Sequence, residues 1–348
     1  MGWKVYTTLD WDLQQIAEEV VKKGIERNKK YNAHNGALVA LSSKGEILAM
    51  TVGTGDYNAP PYPEGCTPGK DCLFDPKFNV VTGGEKYPGR QPGSAFKPFA
   101  YVTAFEKGWS DKTIVIDEPT NFGIWGGKPY EPQNYDLKFR GPVTLREALA
   151  QSLNVPSVKV LLYLAGLEDT VKTAQMCGIT TLKPPFGPAI VLGGWEVKLI
   201  ELTSAYGVFA ADGIRYPYFA ISKIEDSKGN TIYEAKPKGV RVLDKNAVRL
   251  LNDVLSDNLA RAPMFGLNSP LYFENYQVAV KTGTTQDYRD AWTIGYTPSI
   301  IVGVWVGNNN NEPISKQPGV MVAAPIFHEF LEKVLPKFPK ENFPKPEF

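Results

Sequence analysis

The sequence predicts a mixed α/β (α+β) fold: one sheet assembled from N- and C-terminal strands, flanked by helices and joined to a helical lobe. Three observations predict it. Strand-like stretches gather near both ends of the chain, helical periodicity fills the middle, and the composition can supply a core. Of 348 residues, 43% are hydrophobic and 22% charged, the balance of a globular protein long enough for one large domain or two ordinary ones. Net charge is +1 and like charges form no run longer than two, so nucleic acid is not indicated as a partner. No apolar stretch approaches the ~20 residues of a membrane span. The start, MGWKVYTTLD, is polar and strand-like rather than signal-like. Attachment to a membrane would have to come through an N-terminal anchor absent from this sequence.

In chain order, Asp10 is a good N-cap, and Leu13, Ile16, Ala17, Val20 and Val21 recur at helical spacing until Gly24. With the strand before it, this helix makes residues 1–35 a lead-in to the main domain, 36–335. GALVALSSKGEILAMTVG reads as strands over 37–41 and 46–52, turned by Ser42-Ser43-Lys44-Gly45. Residues 53–91 form a long connection rich in Pro and Gly, of a length that is seldom idle. It carries Cys66 and Cys72. A zinc site needs further ligands, and the only histidines are His34 and His328. A local disulfide, with the oxidising compartment it implies, is preferred over two free thiols. Cys177 reads as core.

From about 94 to 195 the pattern is a helical lobe. One helix covers 95–106 and ends at Gly108, and the capping box Thr144-Leu-Arg-Glu147 opens a second. LNVPSVKVLLYLAG makes a third, with Pro156 in its first turn, and Glu168 to Cys177 a fourth, stopped by Gly178. The helix in EVKLIELTSAYGVFAADG leads to a hairpin, KIEDSKGNTIYEA, and Asp244 caps a helix running to about Leu255. YQVAVKTGTT, DAWTIGY and SIIVGVWVG are strands, and APIFHEFLEKVL is a closing helix. Residues 336–348 are a proline-studded tail with no core to bury. A cleft between sheet and lobe is the expected place for a site.

Three short stretches could carry chemistry there. Ser94-Ala-Phe-Lys97 sets a hydroxyl and an amine one helical turn apart. Pro98 fits best within a first turn, which puts the helix start within a residue or two of Ser94 and unpaired backbone N–H groups, suited to an oxyanion, beside it. Ser152-Leu-Asn154 falls at a junction between two helices; in an extended conformation both polar side chains would face one cleft, whereas as caps they would face the backbone. Lys281-Thr282-Gly283-Thr284 ends a strand. There Gly283 would admit a close backbone or ligand, and exposed hydroxyls on Thr282 and Thr284 beside an ammonium suit a carboxylate. Each stretch alone is common in structural roles.

Together, and in this order, they match S-x-x-K, S-D-N and K-T-G of penicillin-binding proteins and class A β-lactamases, with Ser-Leu-Asn for Ser-Asp-Asn, a form usual in penicillin-binding proteins. The chain resembles the transpeptidase domain of bifunctional (class A) penicillin-binding proteins over nearly its whole length. The likeness runs through YTTLDWDLQQIA, GALVALSSKGEILAM, GRQPGSAFKPFAY, GPVTLREALAQSLNVPSVKVL, VKTGTTQDYRDAWTIGYTP, IIVGVWVGN and AAPIF. LSDNLARAPMFGLNSPL looks most like the 1C subgroup. The segment 58–77, with Cys66 and Cys72, looks like an insertion.

The resemblance implies a penicillin-binding/β-lactamase-like fold and a DD-transpeptidase needing no metal or cofactor. Ser94 would attack the carbonyl of a D-Ala-D-Ala stem peptide, Lys97 would take its proton, and Ser152 would relay a proton to the leaving amine. Asn154 would hold the substrate amide, and Lys281, Thr282, Gly283 and Thr284 would bind the terminal carboxylate. The backbone N–H groups of Ser94 and Thr284 would form the oxyanion hole. An amine of a second stem peptide would resolve the acyl-enzyme, and β-lactams would trap it. The work would be done outside the cytoplasmic membrane. A lysine serves as base only when neutral, which at an ordinary pKa of about 10.4 is true of roughly one in 2,500 at pH 7. Burial and a nearby like charge, for which Lys281 is the candidate, must therefore depress Lys97, leaving it the lower of the two. Alternatives are a DD-carboxypeptidase, a β-lactamase drawing on Glu131, Glu168 or Glu196, and a non-turnover β-lactam sensor.

Overall fold

The computed structural model describes residues 2–53, 55–84 and 88–347, so parts of the long connection at 54 and 85–87 lie outside the described residues. Strands β1 (Lys4–Thr7), β2 (Asn35–Ser42), β3 (Ile47–Val52), β4 (Ile221–Glu225), β5 (Thr231–Glu234), β6 (Ala279–Thr284), β7 (Asp290–Tyr296) and β8 (Ile300–Gly307) carry the main β structure. The helices are α1 (Trp11–Asn28), α2 (Lys97–Glu106), α3 (Leu145–Ala150), α4 (Asn154–Lys159), α5 (Leu167–Cys177), α6 (Leu199–Ala210), α7 (Lys245–Ser256), α8 (Asn258–Phe265), α9 (Gly319–Val322) and α10 (Ala324–Val334).

One antiparallel sheet dominates, in the order β6-β7-β8-β2-β3, as the clustering of strand signals at the two ends predicts. β8 lies against β2 from Ile300 opposite Ser42 to Gly307 opposite Asn35. Because both faces are covered, β7 and β8 are buried throughout, and their apolar residues partition by the two-residue period of a strand. Leu38, Ala40, Val302, Val304 and Val306 meet Leu13, Val20, Val21, Ile326 and Phe330 from α1 and α10. Val39, Leu41, Ile301 and Trp305 face the lobe, against Phe99, Leu202, Tyr206 and Phe209. β1, β4 and β5 form a separate three-stranded sheet.

Several local expectations need correction. α1 does not stop at Gly24 but continues to Asn28, and the chain leaves it at Asn32 with φ 55°. Gly24 marks a crossing instead: a Cβ there would lie 2.3 Å from Ile326 Cγ1 of α10. The third lobe helix ends in a π-helical turn, Val160–Ala165. The tail does have a core contact, since Phe343 is buried and packs edge-to-face on Tyr296, with its N–H donating to Gln277 Oε1. Its apolar residue was hidden by the prolines around it. Cys66 and Cys72 are bonded to each other, and Cys177 is buried.

Candidate active site

The turn carrying Ser94 is held from three sides. Residues Gly93–Phe96 make one 3-10 turn that runs into α2, a helix buried from Lys97 to Phe105. Tyr206 of α6 donates its hydroxyl proton to Ala95 O at 2.6 Å. β6 presses on the same turn: a Cβ at Gly283 would lie 2.1 Å from Pro92 O, and one at Gly93 would lie 2.5 Å from Thr284 O. Glycine is therefore required at 283 by approach and at 93 by approach and by its φ of +56°. Strand and turn, nearly two hundred residues apart in sequence, touch through their backbones. The Ser94 hydroxyl is part-exposed and makes no hydrogen bond among the described residues.

The second stretch is built differently from the extended form expected of it. Ser152 has φ +60°, its N–H bonds Leu149 O, and the Leu153 N–H reaches back to Ala148 O. This is a Schellman ending to α3 with serine where glycine is the usual choice. The left-handed residue turns the carbonyls of Ser152 and Leu153 toward Lys97, whose Nζ donates to them at 2.6 and 3.1 Å and to Asn154 Oδ1 at 2.7 Å. Lys281 Nζ donates to Ser152 Oγ at 2.7 Å, and Lys97 Nζ lies 3.4 Å from the same oxygen. Ser152 thus sits between two amino groups, both on side chains at most 3% exposed.

Such a pair cannot keep two ordinary lysine pKa values. Burial first, and then Lys281, push Lys97 well below its usual range. Burial, followed by the guanidinium of Arg261, lowers Lys281 to about 7. The acceptors around Lys97 favour its ammonium form, but the absence of water and the neighbouring charge act the other way, and the direction is downward. Arg261, itself 4% exposed and bonded to Leu255 O at 2.8 Å, is a contributor no motif signals.

Other expected residues stand as follows. Thr282 is buried rather than exposed, because β6 is covered where it meets the lobe. Thr284 is part-exposed, and its Oγ1 accepts from the Gly319 N–H at 2.9 Å. Asn154 Nδ2 donates to Gln133 O at 2.7 Å, which leaves its second N–H for a ligand. Behind it, Asn134 accepts from the Asn154 N–H at 2.8 Å and donates to buried Asp117. This Asp117–Asn134 buttress was missed; the only signal was the run of polar residues in YEPQNYD. Glu131 pairs with Asn121, Glu168 is exposed on α5, and Glu196 lines a polar cavity with Arg90, Asp290 and residues of the turn that follows β6. His34 stacks on Tyr62 and His328 lies against Phe273, while the Cys66–Cys72 bond belongs to the long connection. None of these belongs to the lysine cluster.

With this geometry in hand, likenesses to known proteins become informative. A family model described as the penicillin binding protein transpeptidase domain matches residues 36–332. Penicillin-binding protein 1A of Aquifex aeolicus is 34% identical over 319 residues, covering 91% of this chain and 42% of the relative. Penicillin-binding protein 2D of Bacillus subtilis is 31% identical over 362 residues, covering 99% and 47%. The chain thus spans less than half the length of these curated relatives, and their names lend no support to the 1C subgroup. Among solved structures, PonA1 from Mycobacterium tuberculosis superposes with a TM-score of 0.80 at 26% identity, covering 100% of this chain and 89% of that one. The same protein in complex with penicillin V gives 0.81 at 25% identity, with the same coverage.

Proposed function

The chain belongs to the penicillin-binding protein transpeptidase family, and on that premise we propose that it is a serine DD-transpeptidase domain that cross-links peptidoglycan stem peptides and is acylated by β-lactams. The observation that carries the reading is the lysine pair sharing Ser152 beside the backbone contact between β6 and the Ser94 turn.

In this reading Ser94 Oγ attacks the carbonyl of the penultimate D-Ala. An ammonium at Lys97 has three protons and more than enough acceptors to take them; the neutral amine has two, so one acceptor is released and a lone pair becomes free for the Ser94 proton. The oxyanion forms against the N–H groups of Ser94 and Thr284, each such donor being worth about 3–4 kcal/mol. Ser152 gives its proton to the departing D-Ala nitrogen and takes one in turn from Lys97, whose Nζ lies 3.4 Å from its Oγ, so that both groups return to their starting states. Lys281, Thr282 and Thr284 hold the terminal carboxylate on the strand that Gly283 seats against the Ser94 turn, and Asn154 holds the substrate amide. The amine of a second stem peptide then attacks the ester and loses its proton to Lys97, which hands it to the departing Ser94 Oγ. Glutamate-assisted hydrolysis lacks support, since among the described residues none of Glu131, Glu168 and Glu196 bonds to Lys97, Ser152 or Lys281.

Among the described residues no helix is long and apolar enough to cross a membrane. We place the domain on the outer face of the cytoplasmic membrane, anchored through a longer parent; the Cys66–Cys72 bond supports an oxidising compartment. The test is incubation with a fluorescent penicillin followed by mapping of the labelled peptide. Label on Ser94, lost in Ser94→Ala, is expected, together with cross-linked product from a stem peptide and an amine acceptor. Label that persists in Ser94→Ala sinks the proposal.

A further inference from the structure

The cleft between lobe and sheet is crossed at two levels. One crossing is the bond from Lys281 to Ser152. The other is aromatic: Tyr135, from the lobe, and Tyr288, from the sheet side, meet edge to face with ring centroids 6.3 Å apart and planes inclined at 70°. Neither tyrosine belongs to the three motifs. Tyr135 follows Gln133 and Asn134, the residues that hold Asn154 from behind. Tyr288 stands in the turn between β6 and β7, beyond Thr284.

The backbone at Tyr288 has φ +55°, a left-handed conformation that bulky side chains rarely take. Its N–H donates to Thr285 O at 3.0 Å, and its carbonyl accepts from the Ile314 N–H at 2.7 Å. A strained residue held this way by its surroundings is characteristic of ligand clamps and switches. Tyr135 is half-exposed; partial burial first, and then the Tyr288 hydroxyl, raise its phenol above the ordinary value, so that ring is neutral at physiological pH.

On the sheet side Thr282 and Thr284 lie on the segment between the two crossings, and on the lobe side Asn154, two residues past Ser152, is bonded to Gln133 and Asn134, the neighbours of Tyr135. Rings in edge-to-face contact leave no gap for a polypeptide backbone between them. We propose that Tyr135 and Tyr288 form an aromatic latch over the acyl site, which parts to admit the donor peptide and re-forms over the Ser94 ester to keep water out until an amine arrives. The inference rests on the acyl-enzyme reading above. Closing a site against water protects reactive intermediates from hydrolysis, and lids of this kind open and close within a turnover. The pair is thereby a determinant of amine over water, acting by exclusion and not by proton transfer.

Hydrolytic loss of a fluorescent penicilloyl label measures the shield directly. Tyr135→Ala removes one ring; Tyr288→Gly removes the other while suiting the left-handed turn, so this variant keeps the fold. Both variants are expected to acquire the label and then lose it to water roughly tenfold faster than the parent chain. Tyr135→Phe is expected to restore the parent rate, because the ring and not the hydroxyl provides the cover. With a stem-peptide donor and an amine acceptor, Tyr135→Ala and Tyr288→Gly should shift product from cross-linked to hydrolysed peptide. Label loss within about twofold of the parent in both variants overturns the latch. A parent chain that takes up no label at all overturns the acyl-enzyme reading, and the latch with it.

Discussion

Lys97 combines complete burial with a second lysine attached to the same serine, and its protonation is set by that neighbour as well as by the lack of water. The pH dependence of labelling should show it. If Lys97 must be neutral to act, the acylation rate climbs as pH rises through the titration of the pair. Replacing Lys281 by Met removes the positive charge that disfavours the Lys97 ammonium, so the Lys97 pKa rises and the climbing limb moves to higher pH. A profile that stays in place, or moves to lower pH, would show that Lys281 does not govern Lys97. At this scale the sequence was legible in part. Ser94 and Lys97 are three apart, and local spacing alone brings them near each other. The left-handed Ser152 was not legible, because serine at that position pays no attention to propensity: φ +60° is imposed by the two backbone bonds that close α3. Arg261 was equally hidden, since nothing in NLARAPMF reveals that its guanidinium will be buried near Lys281.

Among the elements, β6 is the one whose position decides whether a site exists. Gly283 has no room for a methyl group against Pro92 O, and the obstacle is backbone, which cannot swing aside. Gly283→Ala should therefore lower stability by about 1–3 kcal/mol. It should also move the strand off the Ser94 turn, and a displacement near 1 Å slows acylation on the order of a hundredfold. Denaturant titration and labelling kinetics on the same variant separate the two effects; parent-like labelling would mean that the strand has slack. The strands and most helices were legible from periodicity and from caps such as Asp10, Thr144 and Asp244, all of which cap as expected. Gly24 was misread because a glycine that ends a helix and one that admits a crossing helix look alike in sequence. The difference lies in Ile326, some three hundred residues away.

For the molecule as a whole, the sheet is a partition with an apolar core on each side, and the lobe-facing core continues beneath the Ser94 turn. The tail helps to close that core. Phe343→Ala should cost roughly 3 kcal/mol, read as a lower midpoint of denaturation with an unchanged slope; a midpoint shift near zero would mean that the tail merely rests on the surface. The fold class was readable from the distribution of strand and helix signals. The pairing of lobe and sheet into one site was not readable from spacing, because it depends on contacts such as Tyr206 to Ala95 and Lys281 to Ser152 that no local pattern encodes.

The ladder between β2 and β8 has a further consequence for how the protein is made. Its partners, such as Ser42 and Ile300, are separated by most of the polypeptide. At translation rates of about 5–20 residues per second, the early hairpin waits roughly 13–50 s for its partner strand to emerge. Through that interval the β2 flank, rich in Ala, Val and Leu, offers an open hydrogen-bonding edge to any extended chain it meets. The nascent protein should accordingly depend on chaperones until its last third leaves the ribosome.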